Sequence, residues 1–331
     1  TPMGQRRLSG KGHWYHETQS NHCPADVLPL VPEAAYVDDR FLLDLALSEE
    51  TLSAHEGWLA PARELCSLLF PLRVPVSRLR TLSAYDRLST ALTVAQVCGV
   101  QRLCNHYAAL LAPLPGPDSS RESNRRLAEI TQYARQLASS PDVIDTKAQQ
   151  QLDEVGLTTY DVIVINQIIG FVGFQARVVA AFQAMLGHPV RWLPGHPGSS
   201  QPLIEEAQLS DWQAILPVVA LPDASAQQLE SLARWQNQPA LQHLAPVLCH
   251  EPALLERTGQ ILTSGVETVS TCPAALTAVE LLSCSPDRFS AAQFAPLIRE
   301  DVTATRAINL LAWSAFCGWL NRLKIALRKV E

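Results

Sequence analysis

Three residues within nine positions, Cys98, Cys104 and His106, are of the types that thiol chemistry needs. A thiolate is a nucleophile, two thiols can pair as a disulfide, and an imidazole can move a proton. Spacing limits how the three can meet. If one helix ran through Cys98 and Cys104, six residues would give about 9 Å of rise, beyond the ~4.4–6.8 Å that separates the Cα atoms of a disulfide. A break at Gly99 brings the two closer. The pattern Cys104-x-His106 sets its side chains about 200° apart on a regular helix, so direct contact requires irregular backbone. Beside this stand the ordinary readings: Cys104 as a small buried hydrophobe, and His106 as a core histidine with one satisfied N–H.

A second cluster, His13, His16, His22 and Cys23, sets four potential metal ligands within eleven residues. The spacing is plausible for zinc. Trp14, Tyr15 and the polar surroundings equally suggest an arm that docks on the protein body, and we assign no metal and no cofactor. The eight cysteines are dispersed and no C-x-x-C pair occurs, which removes the simple zinc-ribbon and thioredoxin-like readings. In a chain this long most of them read as reduced, buried thiols.

The elements that must hold these residues are helical. Leu and Ala supply 89 of 331 residues and Gly only 15, a balance that favours helix over turn-rich β structure. The net charge is −6, with 22 Arg and 4 Lys scattered among acids. No basic stripe forms, so nucleic acid is not expected as a partner. No run reaches the ~18 consecutive apolar residues of a bilayer span, and the first residues lack the apolar core of an export signal. A cytoplasmic protein without membrane contact is the expectation.

Apolar periodicity predicts helix beginning over Arg40–Leu47 and continuing through Trp58–Leu69, then over 82–111 with an interruption at Gly99. Helices follow at 125–139, 146–155 and about 159–186, the last opened by Thr158-x-x-Asp161 as a capping box. That last helix is apolar nearly all round and is expected at the centre of the core. After a Pro-, Gly- and Ser-rich stretch come helical segments at 227–237, 239–249, 252–265, 274–282 and 304–328. The division expected is an arm over 1–40, a helical domain over 41–186, a linker over 187–204 and a second helical domain over 205–331.

The chain resembles itself. A shift of 145 lays 133–181 on 278–326 with eleven identities and no gap, among them Ser140/Ser285, Pro141/Pro286, Asp142/Asp287, Thr158/Thr303, Gly173/Gly318 and Arg177/Arg322. Two copies of one helical module are the reading; chance alignment of two Leu/Ala-rich helix pairs is the alternative. Gly173 and Gly318 cost about 1 kcal/mol each against Ala inside a helix, so close approach of another helix is expected there. Arg177 and Arg322 need a carboxylate or helix C-terminal carbonyls as partners, or an anion to bind.

The run from Ile130 to Phe182, with Gly156-Leu157-Thr158 and Phe171-Val172-Gly173-Phe174-Gln175-Ala176-Arg177, resembles the second half of the AhpD-like, or carboxymuconolactone decarboxylase-like, domain. The resemblance covers residues 85–185 well and the C-terminal copy more weakly. It implies tandem all-α AhpD-like bundles, the second degenerate, in a family that often assembles as homo-oligomers. Peroxidase members use a Cys-x-x-Cys pair, a His at the fourth position after it and an upstream Glu. Here those slots hold Val100, Leu103, Tyr107 and Leu88, while Gly99 and His106 match.

The expected function is a peroxidase-related oxidoreductase acting on a hydroperoxide or a thiol/disulfide substrate through a variant site at Cys98, Cys104 and His106. The alternative is a non-catalytic AhpD-fold protein that binds a small molecule or a protein partner. Lactone decarboxylation or isomerisation would need a His and Glu acid/base set that the sequence does not present. The C-terminal copy reads as an internal partner supplying the interface that another subunit supplies in a one-domain relative.

Overall fold

The computed structural model describes residues 30–190, 198–202, 204, 206–265, 272–299 and 302–330. The His13, His16, His22 and Cys23 cluster lies outside them. Among the described residues the chain is all-α, with fourteen α-helices and no β-strand. In chain order they are α1 (Glu49–Ala54), α2 (Glu56–Leu69), α3 (Ala84–Cys98), α4 (Gln101–Leu111), α5 (Arg121–Ser139), α6 (Thr146–Glu154), α7 (Thr159–Met185), α8 (Glu206–Ser210), α9 (Ala226–Trp235), α10 (Ala245–Leu248), α11 (Pro252–Leu262), α12 (Pro273–Cys284), α13 (Ala291–Arg299) and α14 (Ala304–Leu327).

Helix α7 opens as its sequence dictates. The Thr158 hydroxyl accepts from the Asp161 N–H while the Asp161 carboxylate accepts from the Thr158 N–H, so two orphan donors are satisfied reciprocally. The carboxylate also accepts from the Thr81 N–H and hydroxyl, tying the start of α7 to the approach to α3. Apolar on every side, α7 is buried along nearly its whole length and pairs most extensively with α14. It is the one described helix long and apolar enough to cross a membrane, although no single apolar run in it is long; 94% of its apolar window is buried inside the protein. One continuous apolar core runs from Phe41 to Leu327 through both halves of the chain.

Three expectations are corrected. Arg40–Leu47 is not helical: Leu43 and Asp44 take left-handed φ values of 55° and 57°. Short carboxylates capture the backbone there, Asp44 accepting from the Asp38 and Asp39 N–H groups and Asp39 from those of Phe41 and Leu42, the local competition that diverts acidic residues from helix. Helix α13, interrupted by Pro296, carries too broken an apolar pattern to be anticipated. Gly173 and Gly318 do not mark helix crossings: a Cβ on either would first meet the folded-back guanidinium of its own Arg177 or Arg322. The close crossing is at Gly170, where a Cβ would lie 1.9 Å from the Trp319 ring.

The spacing of 145 recurs in the elements. Residues 139, 141–143, 146–154 and 159 bound the end of α5, a short 3-10 turn, α6 and the start of α7; residues 284, 286–288, 291–299 and 304 bound α12, a second 3-10 turn, α13 and α14 in the same way. Contacts between the halves also follow that spacing. Arg177 on α7 donates to the Ser283 carbonyl at the end of α12, at 2.7 Å. Arg322 on α14 donates to the Leu137 and Ala138 carbonyls at the end of α5, at 3.1 and 3.0 Å. Next to these, the Ser199 N–H donates to the Cys284 carbonyl and the Ser200 N–H to that of Ser139.

Candidate functional site

Cys98, Cys104 and His106 lie at the corner where α3 passes into α4. Helix α3 begins with a Ser83–Asp86 capping box and ends at Gly99, whose φ of 71° is left-handed, a conformation glycine adopts without the steric cost a Cβ brings. The interruption expected at Gly99 is therefore present. Helix α4 starts two residues later behind Val100, whose apolar side chain provides no cap.

The corner does not bring the three residues into one hydrogen-bonded group. Cys98 is buried at the end of α3, its sulfur 3.7 Å from Arg177 Nη1. Cys104 is partly buried on α4, and both cysteines are free thiols. Burial, with a smaller push from neighbouring Cys98, raises the Cys104 thiol to about 12, because the anion loses its hydration. His106 is turned to the other side: its Nδ1 lies 2.7 Å from the Ala34 carbonyl oxygen.

Val100 and Leu103 are buried, and so is Leu88. The buried Tyr107 hydroxyl donates to Gln175 Oε1, and Gln175 Nε2 donates to the carbonyls of Arg40 and Phe41. Burial holds the Tyr107 hydroxyl well above its usual range. This network ties α4 and α7 to the turn before α1.

A cavity of about 330 Å³ opens at the same corner, lined on the α4 side by Gly99, Val100, Gln101, Arg102, Asn105 and His106. Neither Cys98 nor Cys104 is among its walls. The opposite walls come from Ala34, Val37 and Leu43, from Gln183 at the end of α7 with Pro189 and Val190 beyond it, and from Pro286, Asp287 and Phe289 around the 3-10 turn of the second half, so the wall carries a buried carboxylate as well as the Arg102 guanidinium. Arg102 and His106 are one helical turn apart, as are Gln101 and Asn105, so a polar face of α4 forms the floor.

His106 has a defined protonation state in this setting. A carbonyl oxygen only accepts, so Nδ1 carries the hydrogen and Nε2 of the neutral ring carries a lone pair. Burial lowers the His106 pKa; the Ala34 hydrogen bond opposes that shift, Arg40 reinforces it and Asp44 opposes it. Among the described residues no group of three or more His, Cys, Asp or Glu side chains forms a metal-binding cluster.

Sequence reasoning located His106 but fixed on the sulfurs. It passed over Gln101, Arg102 and Asn105, although two polar pairs at a spacing of four around a histidine are a legible sign of a wetted helix face. Gln183, Pro286 and Phe289 give no such sign, because only the folding of α7 and the second half brings them to the corner. No protein-family model matches this chain, and a search of curated proteins returns no match.

Proposed function

We propose that this chain is an AhpD-like tandem bundle that binds a small molecule in the α3–α4 cavity and does not act through its cysteines. The observation that carries the reading is the composition of the cavity wall: it includes His106 and the polar face of α4 and omits both sulfurs. A thiol held near 12 is almost wholly protonated at neutral pH, and the thiolate is the reactive form. The matched element bounds and the exchanged arginine contacts support two copies of one module, the second acting as a built-in partner whose turn at 286–289 walls the cavity. On this reading any further homo-oligomer forms through other surfaces.

The competing reading is a peroxidase-related oxidoreductase using Cys98, Cys104 and His106 on a hydroperoxide or a disulfide. One feature favours it, the Arg177 guanidinium beside the Cys98 sulfur, since a cation stabilises a thiolate. That sulfur is buried, however, and presents no surface to a substrate.

Alkylation of the native protein across pH, followed by a peroxide challenge, separates the two. The binding reading expects neither Cys98 nor Cys104 to be alkylated in the native protein at neutral pH, and no sulfenic acid at either. Sulfenic acid forming at Cys98 or Cys104 in proportion to added peroxide, and lost in Cys104→Ala or Cys98→Ala, establishes the oxidoreductase instead.

A further inference from the structure

Between α2 and α3 the chain carries a run that its composition sets apart. From Leu65 to Tyr85 there is no carboxylate, while Arg73, Arg78 and Arg80 fall within it, in a protein whose net charge is −6. Three apolar side chains of the same run face solvent: Leu72 is 99% exposed, Val76 59% and Leu79 58%. A single exposed leucine is ordinary, but three such side chains so close together and flanked by cations form a patch suited to a partner.

The loop is fastened at both ends and across its tip. At its start, Arg87 and Arg40 donate to the Leu69 and Phe70 carbonyls. At the tip, the Ser77 N–H donates to the Arg80 carbonyl and the Arg80 N–H to the Ser77 hydroxyl. At its end, the Thr158 hydroxyl donates to the Leu79 carbonyl, and the Thr81 N–H and hydroxyl donate to Asp161. Pro71 and Pro75 restrict the backbone further. Fixed backbone therefore presents the apolar side chains to water, and little ordering cost remains to be met on contact.

Charge decides what they meet. Arg80 is used at the base, its Nε 2.9 Å from Glu251 Oε1 and its guanidinium 4.3 Å over the Tyr160 ring. Arg73 and Arg78 are exposed and enter no ion pair among the described residues. The carboxylates at the base are engaged, Asp86 by Arg126, Asp161 by Thr81 and Glu251 by Arg80. The tip is left with an apolar crest and two unneutralised guanidiniums. Three apolar side chains fall well short of the roughly 20–30 residues that a standard protein interface takes from each side. A lipid surface needs no matching contour: apolar side chains enter the acyl boundary, and arginine stems lie beside them with their guanidiniums at the phosphates.

We propose that the loop at 71–80 docks this protein on an anionic lipid surface, with Leu72, Val76 and Leu79 entering the interface and Arg73 and Arg78 meeting the headgroup phosphates. The expectation of no membrane contact rests on the lack of a long apolar run and of an export signal, neither of which bears on a loop at the surface. The contact is independent of the α3–α4 cavity and stands or falls without it.

The test sediments the full chain with vesicles of phosphatidylcholine alone and of an equal mixture with phosphatidylglycerol. The protein is expected to follow the mixed vesicles, to follow neutral ones more weakly, and to be released by added salt, which screens exposed charges. Leu72→Ser should weaken partition by about tenfold, the loss of one buried apolar side chain. Arg73→Gln with Arg78→Gln should weaken it by about thirtyfold. All three side chains are exposed, so thermal unfolding should not move in either variant. Leu72→Trp should keep the binding, and its added fluorescence should be quenched by lipids brominated in the acyl chain. No sedimentation with mixed vesicles overturns the inference, as do equal sedimentation with both vesicles, binding that neither variant weakens, and a Leu72→Trp indole that brominated lipid leaves unquenched. If the chain does not bind vesicles but self-associates, and Leu72→Ser abolishes that, the loop packs on a second copy and the lipid assignment falls. Binding to polyglutamate without binding to vesicles gives the loop to an acidic protein partner, with the same consequence.

Discussion

Arg177 and Arg322, 145 positions apart, each close the C-terminal end of a helix in the opposite half of the chain. Both guanidiniums are buried and donate to helix-end carbonyls, Arg177 also to the Gly173 carbonyl within its own helix and towards the Cys98 sulfur, with no carboxylate among these partners. The negative end of a helix dipole supplies what a carboxylate would otherwise supply. The proximity of the two cations has a consequence: burial first, and Arg177 second, lower the Arg322 pKa to about 9.

Arg177→Met and Arg322→Met should each destabilise the protein by about 1–3 kcal/mol, the cost of leaving buried carbonyls without their donor. Urea denaturation of the two variants checks this. Because the contacts correspond at the spacing of 145, the two losses should agree within about 1 kcal/mol; a large loss in one and none in the other removes the equivalence of the halves.

Gly170→Ala should cost about 1–3 kcal/mol or more through overpacking against Trp319, whose indole N–H also donates to Gln167 Oε1. Gly173→Ala meets only the far end of Arg177 at 3.2 Å and recovers helix propensity of about 1 kcal/mol. Thermal unfolding of the pair should place Gly170→Ala clearly below Gly173→Ala. The reverse order contradicts the α7–α14 packing.

Stability should decline as pH falls below about 6.5. His55 is buried, and burial lowers its pKa despite an opposing hydrogen bond with Asn309; His106 is lowered likewise. A lowered histidine binds fewer protons in the folded chain than in the unfolded one. Its contribution is therefore complete above the unfolded value and is lost as pH falls toward the folded value. The urea midpoint should drop between pH 7.5 and pH 5, and by less in His55→Gln. A midpoint that holds or rises toward pH 5 contradicts the burial of both rings.

Cys104 at about 12, Cys66 at about 12 and Cys249 at about 11 are raised chiefly by burial. At pH 8 only about one Cys104 in ten thousand is a thiolate. Iodoacetamide should leave all three unlabelled in the native protein at pH 8 and label them after denaturation. Rapid native labelling of Cys104, read by mass spectrometry, contradicts its environment.

Much of this fold is legible in the residues themselves. Thr158-x-x-Asp161, Gly99 and the apolar sweep from Ile163 to Phe182 act over a turn or less of backbone, and each does in the structure what its local chemistry requires. Arg40–Leu47 misleads because an apolar stripe says nothing of which N–H groups Asp39 and Asp44 will capture. Gly173 misleads because a glycine in a helix announces a need for room without saying whether a neighbouring helix or its own arginine fills it.

From the sequence alone came helical class, the corner at Gly99 and the 145-residue spacing, all fixed by local sterics and side-chain type. Tertiary structure decided which way His106 faces, that the sulfurs lie off the cavity, and that the second half closes it with Pro286 and Phe289. The reason is physical: capping, propensity and periodicity operate between near neighbours in the chain. A cavity is the space left when distant helices meet, and no short-range term encodes its walls.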